Sequence, residues 1–283
     1  MKLYYYIDTG HRIGLDRLRR SAPVIGELVK EGVDVTMLTN DFRAGEYAKE
    51  QFGIKKYVSV DVVRNIANIA TPSDSVVLDT DSVSASMLSD MCDYFGKIVR
   101  ISDNPDAVQL DGELLISSAD IVAARYFGEW SHTMGNIYFW GDDDYEQKLL
   151  EVSDIFRNLH IALLEGYYFF MQYATGLEDR FSKIFDSESY DEVLTGAEHF
   201  VTSSPQSALE ALAAGSQPIY IKRESTPDFW SDRLQKYGIP LLESFSESGL
   251  KELLEKRISY NAELLDSKRA SDVARSVSEF MEF

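Results

Sequence analysis

At 283 residues the chain is long enough for one large domain or two of ordinary size, and its 45% hydrophobic and 27% charged content gives ample material for a core. With 47 Asp and Glu against 28 Lys and Arg, the formal net charge of −19 excludes general affinity for nucleic acid or anionic membranes. A single cysteine, Cys92, excludes an internal disulfide framework, no leader-like segment opens the chain, and no apolar run approaches membrane-spanning length, so the sequence reads as cytoplasmic, with no membrane span.

In chain order, "KLYYYID" predicts a strand and Arg17 to Glu31 a helix ending at Gly32. "VDVTML" is a strand, Gly45 to Gln51 a helix, and "KYVSV" a short strand. "SVVLDTD" reads as a buried strand, followed by a helix over Ser84 to Phe95, in which Cys92 is a small buried hydrophobe. "KIVRISD" and "GELLIS" complete the first half, and Ala123 to Gly135 is the candidate linker. "NIYFW" opens a second series with a helix from Asp143 to Leu159 and a strand in "HIALLEG". A helix near Tyr190 to Thr195, strand "HFVTS", helix Gln206 to Ala214 and strand "PIYIK" follow. Helices at Asp228 to Tyr237 and Leu250 to Glu255 flank "IPLLE", and a long helix from Ser259 closes the chain. Apolar strands alternating with helices imply parallel sheets covered on both sides. The expected architecture is α/β, with Rossmann-like domains over residues 1–130 and 136–283, a ligand in the cleft between them, and the last helix packing back on the N-terminal domain.

Two stretches carry the chemistry. "DTGHRIGLDRLRR" puts His11, Arg12, Arg17, Arg19 and Arg20 where the first strand turns into the first helix. Gly10 and Gly14 suit a tight turn there. Arg17 and Arg20, three apart, share a helix face near the positive end of the helix, which favours anions, so the cluster reads as a site for a phosphate or carboxylate. The competing reading pairs these arginines with the chain's surplus carboxylates. In "EHFVTSSPQSALEALAAGSQP", hydroxyls and free N–H groups at Ser204, Gln206 and Ser207 suit a diphosphate, and Glu210 one turn on suits ribose hydroxyls. Helix capping alone also explains the serines. Asp79 and Asp81 in "VVLDTD" and Asp103 in "SDNP" end central strands where a ligand is met; their spacing fits no standard metal motif, so no metal or cofactor is expected.

Together these segments resemble nucleotide-sugar enzymes of the GT-B fold, in particular the PseG-type UDP-sugar hydrolases of pseudaminic acid biosynthesis, relatives of the MurG-type glycosyltransferases. Asp8, Ile13, Gly14 and Arg20 fall on the D-x-S-x-x-I-G-x-G-H-x-x-R pattern of that family. "FWGDDD" sits at its Gly-Gly-Thr-Asp turn, "TSSPQSALEALAAGSQP" at its S-x-x-S-x-x-x-E-x-x-x-x-G-x-P motif, and "IKRESTPDFW" at its Asn-Gln loop. The family's catalytic histidine falls on Arg17, its preceding glycine on Asp16, and its Asn-Gln pair on Arg223-Glu224. Arginine stays protonated and cannot serve as a general base near neutral pH.

The resemblance implies two Rossmann-like domains with parallel sheets facing a cleft, and a UDP-sugar as partner in surface- or flagellar-glycan synthesis, acted on by transfer or hydrolysis. It implies His11, Asp16 and Arg17 as catalytic candidates, with Gly14, Arg20, Asp79 and Asp103 towards the sugar. Gly141, Ser204, Gln206, Ser207, Glu210 and Arg223 are implied towards the nucleotide. The alternative is a catalytically inactive relative that keeps the fold as a binding or assembly partner.

Overall fold

The computed structural model describes residues 2–118, 120–169 and 176–283. The chain divides into two units, the first comprising Met1–Gly10, Arg17–Ala124 and Ser267–Phe283, the second His11–Asp16 and Arg125–Asp266. Each unit is built on one six-stranded sheet, and every strand pair in both sheets is parallel.

The first sheet is assembled from β1 (Leu3–Ile7), β2 (Val35–Thr39), β3 (Tyr57–Ser59), β4 (Ser75–Asp79), β5 (Ile98–Ser102) and β6 (Glu113–Ser117). Helices α1 (Asp16–Lys30), α2 (Phe42–Phe52) and α3 (Ala85–Phe95) make three of the crossovers. All five residues of β1 are buried, as a central parallel strand covered on both faces requires. The order β3-β2-β1-β4-β5-β6 makes the chain reverse direction between β1 and β4. Loops leaving the carboxyl ends of those two strands therefore diverge, which is where open α/β sheets bind ligands. One face of this sheet packs Tyr4, Tyr6, Leu38, Leu78 and Ile98 against Leu88, Met91, Cys92 and Phe95 of α3. Cys92 is buried among them, and burial pushes its thiol pKa up.

The second unit repeats the plan with β7 (Asn136–Phe139), α4 (Lys148–Val152), β8 (Ala162–Leu164), β9 (Ile184–Phe185), α5 (Tyr190–Gly196), β10 (His199–Thr202), α6 (Pro205–Ala213), β11 (Gln217–Ile221), α7 (Phe229–Lys236), β12 (Leu241–Leu242) and α8 (Glu247–Glu255). Its order, β12-β11-β10-β7-β8-β9, is the first sheet's order counted from β7, so the reversal falls between β7 and β10. An aromatic core of Tyr138, Trp140, Phe156 and Phe181 packs with Leu163, Val201, Ile219 and Leu250 on one side of it. Helix α9 (Arg269–Met281) then returns to the first unit, where Lys97 Nζ donates to the Phe280 carbonyl at 3.0 Å and to Glu282 Oε1 at 2.5 Å.

Three elements differ from the sequence expectation. The helix expected over Asp143 to Leu159 is cut to α4 and a 3-10 turn at Ser153–Phe156. The Asp144 carboxylate accepts from the N–H groups of Lys148 and Leu149, and Gln147 takes φ 59°, so the residues before Lys148 form a turn. The final helix starts at Arg269, ten residues later than expected. Before it, Asn261 donates to the carbonyls of Tyr237 and Lys236 at the end of α7, holding that stretch in a non-helical path. The two-residue strand β9 has no periodicity to announce it.

Gly238, just beyond α7, adopts φ 72°, and a Cβ built there would lie 2.6 Å from the Ser259 carbonyl oxygen. Left-handed strain and a backbone collision coincide, so Gly238→Ala lowers stability by about 1–3 kcal/mol or more. Chemical denaturation of the variant measures the loss.

Candidate functional site

In the first unit, the strand ends deliver four aspartates to one cluster: Asp8 after β1, Asp79 at the end of β4, Asp81 two residues on, and Asp103 after β5. The first turns of α1 meet them with Arg17 and Arg20, three apart on one face. Arg20 is only 1% exposed. Its Nε donates to Asp79 Oδ2 at 3.0 Å, its Nη2 to Asp79 Oδ1, and its Nη1 to Asp103 Oδ1 at 2.5 Å. The hydroxyls of Ser21 and Ser118 complete the carboxylates, donating to Asp79 at 2.6 Å and to Asp103 at 2.5 Å.

Arg17 lies among all four aspartates, 3.2 Å from Asp81, 3.7 Å from Asp103, 3.8 Å from Asp79 and 3.9 Å from Asp8. Thr80 and Ser82 donate to Asp8, and Ser102 to Asp81. Burial pushes the Asp103 carboxyl up, but the guanidiniums of Arg20 and Arg17 and the Ser118 hydrogen bond outweigh it and hold it below the usual range. For Arg20, burial opposes the charge, and Asp103 and Asp79 raise its pKa well above the ordinary value.

This packing pairs Arg17 and Arg20 with the chain's own aspartates. Four carboxylates face two guanidiniums, so the cluster is net acidic, and Arg20 positions Asp79 and Asp103. The competing reading, arginines paired with surplus carboxylates, describes it. Arg19, on another face of α1, is buried with its guanidinium 6.0 Å from the Tyr47 ring. Among the described residues, no group of three or more His, Cys, Asp or Glu is arranged to hold a metal ion.

In the second unit, α6 begins at the carboxyl end of β10, beside the point where the strand order reverses. Ser204 caps it, its Oγ accepting from the Ser207 N–H at 3.0 Å, and Pro205 takes the first helical position, where a missing N–H costs nothing. The free hydroxyl proton of Ser204 faces Asp16, whose two carboxylate oxygens lie 2.8 and 2.9 Å away. A carboxylate of the chain itself thus sits at the positive end of α6. One turn further, Glu210 is fully buried, its Oε1 accepting from Gln206 Nε2 at 3.0 Å and its Oε2 from the Tyr190 hydroxyl at 2.7 Å. Tyr190 Oη also lies 2.7 Å from Ser207 Oγ.

The turn after β7 supplies three consecutive aspartates with three different partners. Asp142 accepts from the Tyr167 N–H at 2.9 Å, Asp143 accepts from Arg223 Nη1 at 2.7 Å, and Asp144 caps α4. Gly141 enters this turn at φ 124°, with Asp143 Oδ1 2.8 Å from where a Cβ would stand, so only glycine fits there. Gly14 lies against Asp142 and Asp143, and His11 against Tyr145, their ring centroids 4.4 Å apart. Burial opposes the Arg223 charge, yet Asp143 holds its pKa above the ordinary value, so it remains a cation.

The predicted residues therefore gather into two groups. Arg17, Arg20, Asp79 and Asp103 share the first unit's strand ends. Gly14, Asp16, Gly141, Ser204, Gln206, Ser207, Glu210 and Arg223 share the carboxyl edge of the second sheet, with His11 against Tyr145. Sequence reasoning missed Asp8 as a partner of Arg17, and it missed Tyr190 and Asp143. Tyr190 reaches Glu210 across 20 residues, and no local pattern carries such a contact.

No family model matches the chain, and no curated protein matches it. Solved structures do share its fold. The UDP-GlcNAc 2-epimerase of Methanocaldococcus jannaschii, solved in complex with UDP-GlcNAc and UDP, is 12% identical, with 99% of this chain and 100% of that one covered and a TM-score of 0.64. S. aureus MnaA, solved with UDP, is 11% identical over 100% of this chain and 97% of that one, at a TM-score of 0.63. The glycosyltransferase VinC, in complex with dTDP, is 10% identical over 100% and 95%, at 0.51. The chain therefore has a GT-B-like α/β fold, with a parallel six-stranded sheet in each half. No helix among the described residues is long and apolar enough to cross a membrane.

Removing the buried guanidinium leaves Asp79 and Asp103 without their hydrogen-bonded cation, and Arg17, 3.8 and 3.7 Å from them, makes no hydrogen bond to either that replaces it. Arg20→Met is expected to cost about 3–5 kcal/mol, the usual loss when one partner of a buried ion pair is removed. The sign of the pH dependence follows from Asp103. Its folded pKa is depressed, so its contribution is present above the ordinary carboxyl pKa of about 3.9 and is lost as pH falls through the lower folded value. Urea titrations between about pH 6 and pH 2 should show stability falling below about pH 4. In Asp103→Asn that component of the slope disappears.

Proposed function

We propose that this protein binds a nucleotide-sugar, a UDP-sugar above all, and acts in glycan biosynthesis. The observation that carries the reading is the N-terminus of α6: a Ser-capped helix at the strand-order reversal of a doubly wound sheet, with Ser207 in its first turn and a buried, hydrogen-bonded Glu210 one turn on. The helix dipole at this end suits a diphosphate, and a carboxylate acceptor suits ribose hydroxyls. Full-length likeness of fold to proteins named UDP-GlcNAc 2-epimerases, some solved with UDP-GlcNAc or UDP, supports the same ligand.

In this reading Ser204, Gln206, Ser207, Glu210, Gly141 and Arg223 serve the nucleotide, with Gly14 beside them against Asp142 and Asp143. Asp16 has a double role. It occupies the anion position at α6 in the free protein, and a diphosphate arriving there displaces it towards the reacting centre, where a carboxylate can accept a proton. Arg17 stands where the PseG-type hydrolases have their histidine and cannot activate water. Transfer to an acceptor that is already nucleophilic asks less of a base, so transfer is favoured over hydrolysis, in a pseudaminic-acid-like or other surface- or flagellar-glycan pathway. His11, exposed beside Tyr145, is the second candidate base.

One observation favours a second reading, a catalytically inactive relative that binds and assembles. The arginines at the head of α1 are already engaged by aspartates, which leaves the first unit's strand ends without free cationic character.

Calorimetric titration with UDP and UDP-GlcNAc tests the binding. Ser204→Ala should weaken UDP about five- to tenfold, close to one hydrogen bond, and Glu210→Gln similarly. Asp16→Asn should tighten it, because a competing negative charge leaves the α6 terminus. Absence of UDP binding at millimolar concentration, or weakening by Asp16→Asn, refutes the assignment. Release of UDP followed with and without acceptors separates the readings: acceptor-dependent release marks a transferase, equal release in water a hydrolase, and binding without release an inactive relative.

A further inference from the structure

The second unit also holds a cavity of ≈460 Å³, whose lining contains no residue of α6. Trp140 after β7, Lys222 and Arg223 after β11, Phe245 after β12 and Lys148 of α4 line it. Its volume lies within the range of small-molecule pockets and suits a single sugar ring carrying a substituent.

Three features define what it takes. The first is its cations. Lys222 is only 20% exposed, but its partners Asp228 and Glu243 are 90% and 71% exposed, and exposed ion pairs of this kind contribute little. A bound oxyanion replaces them at small cost. Lys148, by contrast, is 56% exposed and pairs at 3.0 Å with a similarly exposed Glu146 at the rim.

The second feature is a pair of orphaned donors. Trp140 stacks on Phe245, ring centroids 5.6 Å apart, and carries the Arg223 guanidinium 5.3 Å from its own ring. Among the described residues, neither the indole N–H of Trp140 nor the Nε–H of Arg223 finds an acceptor, although both atoms are buried. Native proteins rarely leave such groups unmet. Both are donors, so the missing partner is an acceptor.

The third feature is the polar wall. Glu151, Glu224 and Glu243 stand among the cations, with Ser225 and Ser244 between them. Carboxylates repel a bare anion but accept from hydroxyl groups. A wall that offers both signs therefore selects a ligand with hydroxyls and one oxyanion.

We propose that this cavity binds an oxyanion-bearing monosaccharide, a sugar phosphate or a sugar acid; its lining includes none of the α6 residues assigned to the nucleotide and shares only Arg223 with that assignment. Lys222 meets the oxyanion, the carboxylates accept the ring hydroxyls, and the Trp140 edge supplies a donor.

The test titrates the full chain with glucose 6-phosphate, glucuronate, glucose and inorganic phosphate, each with and without saturating UDP. A sugar phosphate or sugar acid should bind at least tenfold more tightly than glucose or phosphate alone, and the two charged probes show which oxyanion is preferred. Lys222→Gln should weaken the charged sugar at least fivefold and leave UDP affinity unchanged. The sequence has three tryptophans, so the Trp140 indole N–H resonance can be assigned by its loss in Trp140→Phe, and it should shift on adding the charged sugar. Equal binding of glucose and the charged sugars, failure of both charged sugars to bind at millimolar concentration, or an unchanged affinity in Lys222→Gln overturns the proposal. Charged-sugar binding that survives a failure of UDP to bind would sink the nucleotide assignment and leave this site standing; the converse result would do the opposite.

Discussion

The Arg20 guanidinium, buried between Asp79 and Asp103, is the interaction on which the first unit depends. Three chain segments far apart in sequence, the head of α1 and the ends of β4 and β5, are tied together by one planar fork. Burying a charge costs several kcal/mol per ion, and only near-complete hydrogen bonding offsets it. That condition is met here: the fork engages both carboxylates, and Ser21 and Ser118 supply further donors. The consequence is local. With Asp79 and Asp103 anchored, Asp8 and Asp81 stand beside them, and Arg17 is drawn among all four. A cationic sequence becomes a net acidic edge.

The second unit uses its charges differently. Its three consecutive aspartates after β7 act in turn on a loop N–H, on an arginine and on a helix start, so an acidic tripeptide becomes scaffolding. At α6 a carboxylate of the chain occupies the positive end of a helix. Asp16 on Ser204 is an internal anion at a helix N-terminus, stabilising the free form by the same dipole that would attract a phosphate. In the proposed reading this occupant lowers affinity for a ligand anion and couples its arrival to release of the carboxylate.

Common to both units is the reversal of strand order beside the first strand of each sheet. The reversal separates neighbouring loops and leaves polar groups at strand ends with room for partners. Asp8 and Asp79 flank one such point, and the turn at Gly141 and the cap at Ser204 flank the other. The fold thus explains why the aspartates and serines gather at carboxyl edges while the strands themselves are packed largely by apolar side chains.

The sequence by itself determined the strands and most helices, because apolar runs without a polar face and helices closed by Gly32 or opened by Ser204 are local signals. Parallel sheets, Cys92 in the core and a Ser-capped helix start at "TSSPQS" follow from the same signals. It could not determine which partners the charges take. That Arg20 is bound by Asp79, 59 residues on, and Glu210 by Tyr190, 20 residues back, is set by groups that no local pattern links. Propensity and periodicity describe a residue's neighbours along the chain, whereas an ion pair depends on distance and burial in space, and those exist only once the sheets have closed.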